Sequence, residues 1–92
     1  MDIKENILFI TGRLAENNLK NILESIDDKN FTYKIENLNI NVAALLTTDM
    51  ISRRIGDVSK YDRVIVPGKV RGDIKELSNE LKINIERGPE EL

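Results

Sequence analysis

The chain contains no cysteine and no histidine. Without cysteine there is no disulfide, no thiolate nucleophile and no thiolate metal ligand. Without histidine, the commonest general base near neutral pH and the commonest imidazole ligand are both missing. Tryptophan is absent and aromatics make up only 4% of the residues, so the core must come from Ile, Leu and Val. A large charge of either sign is also lacking, since the net charge is -2 at pH 7. A general nucleic-acid binder needs a basic surface to displace counterions from phosphates, so the balance argues against that class and leaves room for a local basic patch. No run approaches the roughly 20 apolar residues that cross a bilayer. The start, Met1-Asp2-Ile3-Lys4-Glu5-Asn6, is charged and lacks the long apolar follow-on of a signal peptide. The expected location is the cytoplasm, with no membrane and no nucleic acid among the partners.

What is present has the rhythm of an α/β domain. The 92 residues suffice for one compact unit, and 40% hydrophobic with 33% charged content is that of a folded globule. Ile7 to Thr11 is apolar at consecutive positions, as a strand covered on both faces should be. A helix is expected from about Leu14 to Asp27, with Leu14, Ala15, Leu19, Ile22, Leu23 and Ile26 on its inner face. Asp27 to Asn30 reads as the loop that ends it. Phe31, Tyr33 and Ile35 alternate with polar residues in an edge strand. The alternation slips at Glu36-Asn37, which suggests a bulge or kink there. Residues 42–55 read as one helix with an internal adjustment, or as a turn followed by a helix capped near Thr48. Val64-Ile65-Val66 forms a central strand. A third helix starts after Gly72, with Asp73 as N-cap and Glu76 at capping-box spacing. Ile83 and Ile85 mark a last edge strand.

Two central and two edge strands give a four-stranded parallel sheet of order 2-1-3-4. With about three helices it forms a small three-layer sandwich of Rossmann- or flavodoxin-like type. Right-handed crossovers place the first helix on one face and the other two opposite. The chain reverses direction between strands one and three, so the crevice above them is the switch point where ligands of such sheets bind. Three turns carry glycine and arginine to that edge: Thr11-Gly12-Arg13, Pro67 to Asp73, and Arg87-Gly88-Pro89. The candidate anion-binding residues are therefore Gly12, Arg13, Gly68, Lys69, Arg71, Gly72, Asp73 and Arg87. Glycine admits a ligand close to the backbone, and arginine grips a carboxylate or phosphate bidentately.

Each candidate has a simpler reading beside the functional one. Gly12 can serve only the strand-to-helix turn, with Arg13 solvated. Asp49 and Asp73 fit helix caps better than acid–base chemistry. Arg53-Arg54 fits a solvated helix end. Arg87 can simply end an edge strand, or approach Arg71, in which case the pair implies a shared anion or an acidic partner. Gly68-Lys69 is not a P-loop: Arg63 stands where the first glycine is needed and Val70 where Ser or Thr must follow. No dinucleotide fingerprint follows the first strand either. No catalytic residue, metal site or cofactor is expected.

Taken together, the stretches Ile10-Thr11-Gly12-Arg13-Leu14-Ala15-Glu16, Ile40-Asn41-Val42-Ala43-Ala44-Leu45-Leu46-Thr47, Asp62-Arg63-Val64-Ile65-Val66-Pro67-Gly68, Arg71-Gly72-Asp73 and Glu86-Arg87-Gly88-Pro89 carry a resemblance. The chain resembles the N-terminal domain of the dihydropteroate synthase-like proteins of methanogenic archaea and some methylotrophic bacteria. The resemblance implies that residues 1–92 are an excised module preceding a C-terminal barrel domain. It implies a role in pterin metabolism of the folate or tetrahydromethanopterin kind, with any transferase chemistry in the barrel. The partner it suggests is that barrel; the arginines at the strand edge add, from their position, a phosphorylated or carboxylated small molecule or an acidic surface of the barrel or of a second subunit. The resemblance supplies no catalytic residues for this domain.

Overall fold

The computed structural model describes residues 5–26, 31–40 and 46–88. Its elements run β1 (Glu5–Thr11), α1 (Glu16–Glu24), β2 (Phe31–Asn37), α2 (Thr48–Arg54), β3 (Arg63–Val66), α3 (Ile74–Leu81) and β4 (Asn84–Arg87). The sheet is parallel throughout, in the order β2-β1-β3-β4. This is the α/β architecture and strand order expected from the alternation of apolar runs and helical periods. The expected loop at 27–30, the first part of the helical stretch at 42–45 and the turn beyond Gly88 lie outside the described residues.

Register explains which side chains form the core. In a strand, alternate residues face opposite sides. Leu8, Ile10, Val64, Val66 and Ile85 share one face with Leu38, and they pack with Ile51 of α2 and Leu77 of α3. Val58 and Tyr61 close the same layer from the loop before β3, and Val70 from the loop after it. Ile7 faces the other side, where Leu19 and Leu23 of α1 are also buried. Thus α2 and α3 share one face and α1 has the other.

Two expectations need correction. The helix expected from Leu14 to Asp27 spans only Glu16–Glu24, and its inner face is only partly used. Leu19 and Leu23 are buried, while Leu14 is 74% exposed and Ile22 40%. Leu19 and Leu23 meet the sheet, and α1 has no helical neighbour on its face among the described residues to cover Leu14 and Ile22. The slip at Glu36-Asn37 is not a bulge. Pairing with β1 runs unbroken from Glu5↔Phe31 to Thr11↔Asn37. Phe31, Tyr33 and Ile35 face α1, Leu38 faces the opposite core, and the backbone turns only at Asn39, with φ of 63°. The change of phase records a change of face.

The helix starts follow local chemistry. Thr47 caps α2, its side-chain oxygen accepting the Met50 N–H at 3.2 Å. Asp49 is therefore not the cap; it sits in the first turn and pairs with Arg53 one turn on. Asp73 caps α3 by accepting the Glu76 N–H at 3.1 Å, as its spacing indicated. The other end of α3 closes on Lys82 in the left-handed region.

On this basis Ile51→Ala, at a fully buried contact between α2 and the sheet, should cost about 2–5 kcal/mol in urea unfolding. Asp73→Ala should cost about 1 kcal/mol. An unchanged urea midpoint for Ile51→Ala would contradict the packing described.

Candidate functional site

The three glycine–arginine turns do meet the same end of the sheet, but they do not form one open cluster. Gly12 is buried directly after β1. The Arg13 N–H donates to the Ile40 carbonyl at 2.6 Å, and its guanidinium reaches Asn39 Oδ1 at 3.3 Å. Arg13 is thus turned toward the β2 side of the edge. Among the described residues its backbone amide and guanidinium serve the turn after β2, while its side chain stays exposed.

The loop from Pro67 to Asp73 is tied on two sides. On one side it adds a short parallel bridge, Thr47↔Arg71. The Arg71 N–H donates to the Leu46 carbonyl at 3.1 Å, and the Thr48 N–H donates to the Arg71 carbonyl at 2.8 Å. On the other side Arg87 reaches across from β4. Its guanidinium donates to the Val70 carbonyl, to the Gly72 carbonyl at 3.0 Å and, at 3.5 Å, to the Gly68 carbonyl. Five donors in a rigid fork suit this task, because neighbouring carbonyls can be held from one planar group. Arg87 therefore braces the loop with the groups that an anion would need.

Gly72 is the residue that lets the loop pass Thr48. Its φ is +123°, and a Cβ there would collide with the Thr48 hydroxyl and approach Thr48 Cβ and Cγ2 to 2.9 Å. Its glycine character thus serves a crossing of two chain segments. The start of α3 is already occupied by a negative group, the Asp73 carboxylate, which opposes a second anion at that helix end. Lys69 and Arg71 project into solvent. Among the described residues neither forms an ion pair.

A second charged arrangement had no signal in the linear sequence. Arg63, near the opposite end of the sheet, donates to Glu5 Oε1 on β1 and to Glu86 Oε2 on β4, both at 2.8 Å. The Glu86 hydrogen bond raises the guanidinium pKa above its ordinary value, with a further contribution from Glu5. Its Nε is buried and finds no acceptor among the described residues. The three residues come from strands 58 and 23 positions apart, so only the parallel register brings them together.

Beside these turns, on the α1 face, lies a mostly apolar cavity of about 270 Å³. Phe9, Leu19, Ile65, Pro67 and Gly88 are among its walls. The described residues include no group of three or more side chains suited to hold a metal ion. No described helix is long and apolar enough to cross a membrane.

The model of a family of unknown function, DUF6513, matches residues 5–90. The chain belongs to that family. An uncharacterized protein of Methanocaldococcus jannaschii is 34% identical over 86 residues, covering 84% of this chain and 16% of that protein. The DUF6513 chain thus spans about one sixth of the length of the curated relative it matches. No solved structure matches it.

In this DUF6513 member, Gly72→Ala should lower stability by about 1–3 kcal/mol through backbone strain alone, with the Thr48 collision added. Arg87→Gln should cost about 1 kcal/mol and speed hydrogen exchange in residues 68–72 ahead of the sheet. Exchange in that loop matching the unsubstituted protein would contradict the bracing role of Arg87.

Proposed function

We propose that this chain is a non-catalytic α/β domain of a longer dihydropteroate synthase-like protein, connected with pterin metabolism. Its task is to dock, through the strand-carboxyl edge, on the remainder of that protein or on a second subunit. The observation that carries this reading is the braced loop between β3 and α3. Its carbonyls are held by Arg87 and its Arg71 backbone is paired with Leu46 and Thr48, while the Lys69 and Arg71 side chains are exposed. A rigid loop that presents cations fits an acidic protein surface, where rim charges set association rate and salt dependence. The absence of histidine and cysteine from the sequence supports a non-catalytic role. The length of the M. jannaschii relative supports a place within a larger protein. The pterin connection rests on the resemblance of the turn sequences.

The test is association of residues 1–92 with the separately expressed remainder of the protein. Lys69→Glu with Arg71→Glu should weaken it at least tenfold at low salt, and added salt should weaken the unsubstituted pair in the same direction. Equal affinity of the double variant would end the edge-docking reading.

The exposure of Arg13, Lys69 and Arg71 at one sheet edge favours a second reading, in which that edge binds a phosphate or carboxylate. Titration with phosphate, a pterin phosphate and an aminobenzoate should then shift the amide resonances of Gly12, Gly68 or Gly72. No shift at millimolar ligand removes this reading.

A further inference from the structure

The two lateral strands of the sheet differ. β4 has four residues, whereas β2 has seven. β2 contains no proline and no glycine, and all seven residues pair with β1 without a bulge. Its position is fixed by packing, since the Phe31 and Tyr33 rings meet Phe9 at centroid distances of 6.5 and 6.2 Å. On its outer side β2 has no neighbouring strand among the described residues. A long, regular, unpaired strand edge is a template for another strand.

The register shows which backbone groups are free. The Leu38 N–H donates inward to the Thr11 carbonyl. Backbone groups alternate sides along a strand, so Lys34 and Glu36 turn theirs toward β1, and Tyr33, Ile35 and Asn37 turn theirs outward. Side chains alternate between the faces. Lys34 and Glu36 share the face of Leu38, and among the described residues neither forms an ion pair. Tyr33 and Ile35 lie on the α1 face, where they line a cleft of about 280 Å³ with Glu16 and Lys20.

A lone lysine in an edge strand opposes pairing, but Glu36 stands two residues beyond Lys34 on the same face. Two copies related by a two-fold axis bring β2 against β2 antiparallel, with the axis between one residue and its own copy. Centred on Lys34 or on Glu36, the pairing sets like charges opposite each other, which is destabilising. Centred on Tyr33, it leaves Glu36 beyond the end of the partner's strand. Centred on Ile35, it sets Lys34 opposite the partner's Glu36, and Glu36 opposite the partner's Lys34. In that register Tyr33 faces the partner's Asn37, and Ile35 faces the partner's Ile35. The outward backbone groups of Tyr33, Ile35 and Asn37 then fall on the hydrogen-bonded pairs. Lys34 and Glu36 fall on the non-hydrogen-bonded pairs, where side chains come closer.

We propose that this chain forms a homodimer by antiparallel pairing of β2 with β2 of a second copy, in the register centred on Ile35. The seam doubles the four-stranded sheet and puts the partner's Ile35 beside the cleft between α1 and β2. The strand-carboxyl edges of the two copies point in opposite directions and stay open. The dimer is therefore independent of the docking reading, and neither stands or falls with the other.

The experiment is sedimentation equilibrium of the unsubstituted chain and of Lys34→Glu, Glu36→Lys and the double variant. The unsubstituted chain should show a monomer–dimer equilibrium. Each single reversal puts like charges at two places in the seam and should weaken the dimer about tenfold. The double variant restores both opposite-charge pairs and should recover the original affinity. An equimolar mixture of the two single variants should recover it too, as a heterodimer. As a second measurement, Ile35→Cys introduces the chain's single thiol. Mild oxidation should join two copies through it, because residues opposite each other in such a pair have Cα atoms about 5.5 Å apart, within disulfide range. Lys34→Cys, offset from its own copy in this register, should crosslink far more slowly. A chain that stays monomeric at millimolar concentration overturns the proposal. So does a dimer indifferent to the single reversals, one that the double variant fails to restore, or faster crosslinking at position 34 than at 35.

Discussion

The pairing of β1 with β3 is the contact around which this domain is arranged. Both strands are short of polar side chains at their centres, and each needs apolar cover above and below. Val64 is fully buried, and Ile7 and Leu8 are nearly so. Once these strands lie parallel, their connections must run outside the sheet through crossovers of one hand. That rule sends α1 to one face and α2 and α3 to the other. It also brings every strand-to-helix turn to the same end, so the location of the candidate edge follows from the sheet alone.

What that edge can do was decided by how its turns are held. Arginine beside glycine in a turn is compatible with an anion cradle and with a brace. The difference lies in where the guanidinium fork finds acceptors. Arg87 finds them in the Gly68, Val70 and Gly72 carbonyls. Arg71 gives its backbone to Leu46 and Thr48 and leaves its side chain in water. The turns that looked equivalent in sequence thus divide the work: one arginine rigidifies the loop and another presents charge on it. The bracing holds the loop backbone from which those exposed charges project.

The two faces differ as well. The face under α2 and α3 holds a continuous apolar cluster, while the α1 face mixes buried aliphatic contacts, half-buried aromatics and the Arg63 ion pairs with Glu5 and Glu86. Ion pairs this open to water add little stability. They act more to keep the neighbouring strands in register, since a slip by one residue would turn Arg63 away from both carboxylates.

Sequence alone determined the alternation of strands and helices, the parallel order 2-1-3-4, the Asp73 cap and the failure of both phosphate fingerprints. These depend on periodicities of 2 and 3.6 residues and on spacings within a few positions, which a linear reading captures. It misjudged the inner face of α1, because periodicity says which residues share a stripe but not whether anything lies against it. It read a bulge or kink at Glu36-Asn37 where the pairing is unbroken and the apolar residues change face, since the burying layer for Leu38 is assembled from α2 and β1. Tertiary structure alone decided that Arg87 braces the β3–α3 loop, that Arg63 links Glu5 to Glu86, and that Phe9 and Ile65 floor an open groove. Each of those contacts joins residues more than a dozen positions apart, and only the register of the parallel sheet sets them side by side.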